Sequence, residues 1–285
     1  MKRIAIVTDS AADLPPELVE QFDISVIPLH IHWGDETFFD GVTLKAANFY
    51  HQLAERAEFP KTSQPSVGEF CEFFQATADR LKTATILGIF LSSPLSGTLA
   101  SAIQAQAMLP HLQIELVDSR FISMGVGFQV LTAARAQQQN IPLAAITTQM
   151  ATVRSQMRLF IVLDTLEYLH RGGRIGGAAH LFGSLLNLRP LLGIENGKIV
   201  ALGKVRGRRK SLQHLVELLE KELAGRQPAE LAIMHAEIPA DAAFLAAQIQ
   251  ERVNPRQLYT GILTPALGCH GGPGAIGIAF YPESE

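Results

Sequence analysis

The sequence predicts an α/β fold, with a mostly parallel sheet and flanking helices in its first half and a mixed sheet in its second. Three observations carry this. Short apolar runs alternate with longer segments of helical period, as in strands joined by crossover helices. Several of the helical segments open on proline or on a hydroxyl-bearing cap. The chain has 285 residues, 47% of them hydrophobic and 18% charged, enough for one large domain or two ordinary ones with apolar side chains left over to line a cavity.

Taken in order, "RIAIVT" (3–8), "ISVIPL" (24–29), "ATILGIFL" (84–91) and "IELVDS" (114–119) read as strands. Residues 14–21, 46–55, 67–81 and 97–108 read as the helices between them. Pro15 and Pro16 suit the first turn of the first helix, with Asp13 as its expected cap. Ser66 and Glu69 form a capping box for the helix at 67–81. The texture changes near residue 140. A helix over 142–157 is followed by the strand "LFIVLD" (159–164), the glycine pairs of "LEYLHRGGRIGG" and an apolar helix "AAHLFGSLLNL" (178–188). "IENGKIV" carries the Asn-Gly of a two-residue hairpin turn. "ELAIMH" (230–235), a run over 257–264 and "AIGIAFY" (275–281) complete the second sheet. The domain boundary is expected near residue 150, giving an N-terminal unit 1–150 and a C-terminal unit 151–285.

Composition excludes some function classes. The net charge of −3 argues against a general nucleic-acid binder. Cys71 and Cys269 match neither a disulfide framework nor zinc spacing, so a reducing cytoplasm is the expected location. The N-terminus enters a short strand without the apolar stretch of a signal peptide, and no run of 18 or more apolar residues offers a membrane span. No internal repeat or low-complexity tract stands out.

Five clusters at strand ends or in loops are candidates for a site: "TDS" (8–10), "KTSQPS" (61–66), "SSPLSGTLASA" (92–102), "VDSR" (117–120) and "GCHGGPGAIG" (268–277). Three follow strands of the parallel sheet, whose carboxyl ends form the usual ligand rim. One Ser-Gly pair at a helix start is an ordinary cap and turn. Two hydroxyl-rich helix starts in one architecture point to an anion site, because helix N-termini offer free N–H groups and positive potential. The candidates are Thr62, Ser63, Ser96, Gly97 and Thr98, with His270 as a further hydrogen-bonding group. Residues 92–102 contain no cation, Lys61 alone stands beside Thr62, and GxxxxGK[ST] is absent. A singly charged carboxylate fits such a site better than a polyphosphate.

Other motifs have plainer readings. Ser96 lies outside GxSxG, so no hydrolase elbow is supported. Cys269 and His270, as neighbours on an extended segment, are expected to face opposite ways. "HRGGRIGG" is only loosely like a phosphate loop, and "KVRGRRK" (204–210) reads as a solvated basic loop.

"IVTDSAADLP", "KTSQPS", "LSSPLSGTLASA", "VDSR", "LEYLHRGGRIGG", "LNLRPLLGIENGKI", "KVRGRRK" and "HGGPGAIGIAF" occur in an order that resembles the DegV family of bacterial fatty-acid-binding proteins. The resemblance spans residues 4–280. No single motif is highly specific, but the ordered set is. Some members serve as the lipid-presenting subunit of a two-component fatty acid kinase. The resemblance implies a two-domain DegV-like fold with a long-chain fatty acid between the domains. It implies head-group contacts at Thr62 and Ser96 with His270 nearby, and Arg206 facing a kinase catalytic subunit. It implies phospholipid metabolism as the setting, with no cofactor, no metal and no catalytic residue of the chain's own. The alternative is a self-sufficient α/β hydrolase or acyltransferase using Ser96 and His270 with Asp9 or Asp118.

Overall fold

The computed structural model describes residues 3–181 and 188–283. The first strands and helices alternate as the sequence predicts. β1 (Ala5–Asp9), α1 (Pro16–Gln21) and β2 (Ser25–Ile27) come first. A small antiparallel unit follows: β3 (His30–Trp33), β4 (Glu36–Phe39), α2 (Ala46–Glu55) and β5 (Lys61–Ser63). Then come α3 (Val67–Leu81), β6 (Thr85–Phe90), α4 (Thr98–Met108) and β7 (Gln113–Asp118). β1, β2, β6 and β7 form one wholly parallel sheet in the order β2-β1-β6-β7. β3, β4 and β5 form a separate sheet; the run at 24–29 supplies β2 alone, and β3 begins after it.

Two helices lead on, α5 (Met124–Gln138) and α6 (Leu143–Gln156). The second half holds β8 (Arg158–Val162), α7 (Glu167–Arg171), β9 (Leu188–Glu195), β10 (Lys198–Arg206) and α8 (Arg208–Leu223). β11 (Pro228–His235), α9 (Pro239–Arg252), β12 (Leu258–Ile262), α10 (Pro265–Gly271) and β13 (Ile276–Pro282) complete it. The sheet is mixed, in the order β10-β9-β8-β13-β11-β12, and only β11 and β12 run parallel.

Strand alternation sorts the apolar side chains into three cores. Ala5, Val7, Ile86 and Phe90 face α3 and α4. Phe160, Val162, Ile233 and Ile278 face α8 and α9. The opposite faces of both sheets, with Ile6, Ile89, Leu159, Leu192, Ala232 and Ala279, share a central core with α5. The layers therefore run helix, sheet, helix, sheet, helix. Arg135 of α5 reinforces the joint with two hydrogen bonds of 2.8 Å to the buried Glu230 of β11, which also accepts from Tyr259 and Tyr281. No helix among the described residues is long and apolar enough to cross a membrane.

Several local expectations need correction. The capping box at Ser66 is present in both directions. Asp13, however, does not cap α1: it closes a 3-10 turn over Ser10–Ala12 at φ 51° and turns its carboxylate inward. Pro15 and Pro16 supply the dihedral of the first turn without a cap bond. α4 starts one residue later than expected, with Gly97 as N-cap and Ser96 Oγ accepting from Thr98 N at 3.3 Å. The basic loop at 204–210 is instead the end of β10, a turn at Gly207 with φ 85°, and the start of α8. The expected apolar helix over 178–188 holds a 3-10 turn, Gly176–Leu181, and Leu188 already belongs to β9; its residues 182–187 lie outside those described. Asn196 and Gly197, both at positive φ, make the anticipated hairpin turn between β9 and β10.

Candidate functional site

The carboxyl ends of β1, β6 and β7 meet at one rim, where Asp9 and Asp118 are tied to backbone N–H groups and to Ser93, while the buried Thr8 Oγ1 has no hydrogen-bond partner. Asp9 accepts from Leu91 N and Ala11 N at 2.8 and 2.9 Å. Asp118 accepts from Ser93 Oγ at 2.6 Å and from Arg120 N at 2.9 Å. Ser92 Oγ reaches across to the Gly197 carbonyl at 2.6 Å and ties this rim to the β9–β10 hairpin. Many hydroxyls of the 92–102 stretch thus build the rim itself.

Between the two sheets lies a cavity with about 1040 Å³ of space not filled by protein atoms, its open mouth included. Most of its wall is apolar. Leu159, Ile161, Leu192 and Met234 come from the mixed sheet, while Leu29 and Leu91 come from the first half. In-register pairing explains the hollow: Ile161, Gly277 and Met234 are cross-strand partners, and the central one has no side chain.

One end is polar. Thr62 and Ser63 on β5, Gln64, Ser96, Arg174 and His270 line it. Thr62 Oγ1 and His270 Nε2 are hydrogen bonded at 2.8 Å, although 208 residues separate them. Ser63 Oγ is bonded to His32 Nε2 at 2.8 Å, and Ser96 Oγ to Thr98 Oγ1 at 2.8 Å. Gly97 lines an adjoining recess with Ser96 and Arg174, and Thr98 is buried.

His270 sits on α10, not on an extended glycine-rich segment, so the premise that Cys269 and His270 diverge as strand neighbours is wrong; the helix buries Cys269 and leaves His270 open to the cavity. Protein atoms surround the ring on its other sides. Burial first, then the charge of Arg174, push His270 down from 6.5 to about 4, so it is neutral at physiological pH. Its Nδ1 has no hydrogen-bond partner and packs against Gly172, where a Cβ would also lie 2.7 Å from His270 Cε1. The packing assigns the tautomer: a proton on Nδ1 would leave a buried N–H unpaired. With the proton on Nε2, His270 donates to Thr62 Oγ1 and frees the Thr62 hydroxyl proton for an acceptor in the cavity.

Arg174 is the residue that reading the sequence missed. Its Nε donates to the Leu95 carbonyl at 3.2 Å and its Nη1 to the Gly172 carbonyl at 2.7 Å, which holds the guanidinium beside Ser96 at the polar end. The signal was an arginine between two glycine pairs, but nothing local tells which strand end it will face.

The alternative catalytic set is not assembled. Asp9 and Asp118 are engaged by the rim, His270 bonds Thr62, and Ser96 bonds Thr98. An imidazole held near 4 is also a poor base.

A model of the DegV family, described as "Uncharacterised protein, DegV family", matches residues 3–283. The DegV domain-containing protein of Deinococcus radiodurans is 35% identical over 285 residues, with 99% of each chain covered. A structure described as "Fatty Acid Binding of a DegV family Protein from Thermus thermophilus" matches with a TM-score of 0.93 at 29% identity, covering 99% of this chain and 100% of that one. "Crystal Structure of DegV, a fatty acid binding protein from Bacillus subtilis" describes a second, with a TM-score of 0.91, 30% identity and the same coverage.

Proposed function

Because the chain belongs to the DegV family, we propose that it binds one long-chain fatty acid, with the carboxylate at the polar end of the cavity and the acyl chain between the sheets. The observation that carries this reading is the cavity itself: an apolar wall closed at one end by Thr62, Ser96, Arg174 and His270. Solved relatives described as fatty-acid-binding support it.

Physical chemistry divides the labour. A buried methylene is worth about 0.8 kcal/mol, so a long acyl chain gains on the order of 10 kcal/mol before the costs of binding. A hydrogen bond to a charged group nets about 1.5–3 kcal/mol. The chain supplies affinity; the head-group contacts supply orientation and the choice of an acid over a neutral lipid. Thr62 donates its hydroxyl proton, Arg174 supplies positive charge, and Ser96 with the start of α4 completes the anion site, with Ser63, Gly97 and Thr98 supporting it.

In this reading units 1–150 and 151–285 close on the ligand from two sides, and the protein is a cytoplasmic carrier without chemistry of its own. A separate ATP-dependent kinase receives the carboxylate and forms the acyl phosphate. Arg206, exposed at the end of β10, faces that partner. The test is a titration with a long-chain fatty acid and with its methyl ester. The acid should bind at least tenfold more tightly; equal affinity would overturn the head-group assignment.

A further inference from the structure

α10 carries His270 but has only seven residues, and its N-cap Thr264 makes no side-chain cap bond. So short a helix does not hold itself in place. Its first turn is held by carboxylates from the other half of the chain. Thr264 N donates to Asp13 Oδ1 at 2.9 Å, and Ala266 N donates to Asp40 Oδ1 at 3.2 Å. Tyr50 of α2 donates its hydroxyl to the Leu263 carbonyl at 3.2 Å. The second oxygen of Asp13 accepts from Ser123 Oγ, and Ser123 lines the cavity at the entrance to α5. Asp13 and Asp40 thus do from outside what a capping side chain does within a helix.

The arrangement is a costly one. Asp13 and Asp40 are 5% and 2% exposed. The titratable groups that face them are Asp9 of β1, Tyr50 of α2 and Cys269 of α10, with Glu237 also acting on Tyr50. All of these are acidic, and none compensates a buried negative charge. Among the described residues no group of three or more His, Cys, Asp or Glu could hold a metal ion, so a cation does not account for the cluster either. What the two carboxylates share is α10.

We propose that Asp13 and Asp40 are positioning residues of the fatty-acid site, holding the first turn of α10 so that His270 stands against Thr62. The role in ligand binding rests on the carrier reading above; the positioning is a property of the protein without ligand. His270 reports it, because its depressed ionisation depends on being held under cover beside Arg174.

The experiment follows the His270 ring by NMR across pH, beside fatty-acid titrations. In the wild type His270 should titrate at about 4. Asp13→Ala and Asp40→Ala should each move it up toward the ordinary 6.5 and weaken fatty-acid binding by about tenfold. Asp13→Asn and Asp40→Asn keep a carbonyl oxygen for the same N–H and should restore both readouts. If the alanine variants do not fold, Thr264→Pro tests the tie from the donor side: Thr264 has φ −59° and ψ 153°, which proline adopts, and the change removes the N–H that Asp13 accepts. Folded alanine or Thr264→Pro variants whose His270 still titrates as in the wild type would overturn the positioning role. A wild type that binds no fatty acid, in a protein whose variants shift His270 as stated, would overturn the carrier reading and uphold the positioning.

Discussion

Gly172→Ala is the sharpest single-atom test of the site. Gly172 has helical backbone dihedrals, φ −76° and ψ −5°, so alanine is conformationally acceptable there. Gly→Ala at a compatible position gains roughly 0.4–1 kcal/mol through the unfolded state. The added methyl, however, falls on the His270 ring, with Cε1 at 2.7 Å and the Tyr168 carbonyl at 3.1 Å. Overpacking of this kind costs about 1–3 kcal/mol unless something yields, and the ring is the part that can yield. Clearing the Cε1 contact from 2.7 Å to an ordinary 3.4 Å moves the ring by roughly 0.7 Å, which strains the 2.8 Å bond to Thr62 Oγ1 to the limit of a hydrogen bond. Thr62 then loses the partner that orients its hydroxyl toward the carboxylate. The expected loss is one hydrogen bond to a charged group, about 1.5–3 kcal/mol, or roughly ten- to hundredfold in fatty-acid affinity. Thermal stability should stay within a few degrees of the wild type. Isothermal titration with a long-chain fatty acid, beside a melting curve, reads both. Affinity within twofold of the wild type in a folded Gly172→Ala protein would refute the reasoning, since the contact would then not govern the head group.

Three further outcomes follow from the same geometry. Thr62→Ala and Ser96→Ala should each weaken binding of the acid by about tenfold and leave methyl-ester binding nearly unchanged, as read by parallel titrations. Arg206→Ala should lower acyl-phosphate formation in a coupled assay with a cognate kinase while fatty-acid affinity stays at the wild-type value; a loss of binding instead would place Arg206 in the pocket. Burial raises Asp9 and Asp13 from 3.8 to about 7 and Asp40 to about 6. Groups whose pKa is higher folded than unfolded stabilise most below the unfolded value, and that stabilisation is lost as pH rises through the folded one. These three should therefore make the protein lose stability between about pH 4 and 7, and Asp9→Asn should flatten the slope; urea midpoints at several pH values that rise over this window in the wild type would contradict it.

The parallel sheet was legible because β1, β6 and β7 are short apolar runs and α3 carries its capping box at Ser66. α5 was not, because it is buried nearly all round between the sheets, and a helix covered on every side shows no polar face to mark its period. α10 was hidden by its glycines, which read as loop; it is a helix because Pro265 starts it and Asp13 and Asp40 tie its first turn. At the site, Thr62, Ser96 and His270 stood out as residue types that bind an anion. Arg174 did not, since its meeting with Ser96 is made by tertiary packing across 78 positions of sequence (174 − 96). Local chemistry marked the hydroxyls; only the closed fold brought the charge to them.

The central claim is that a fatty acid occupies the cavity between the sheets, and the protein as it comes from a bacterial host can be asked directly. Native mass spectrometry of the purified protein, followed by denaturing extraction and lipid identification, should show about one long-chain fatty acid per chain, released on unfolding and displaced by an added fatty acid. A ligand-free mass that stays unchanged when fatty acid is added in excess would contradict the account.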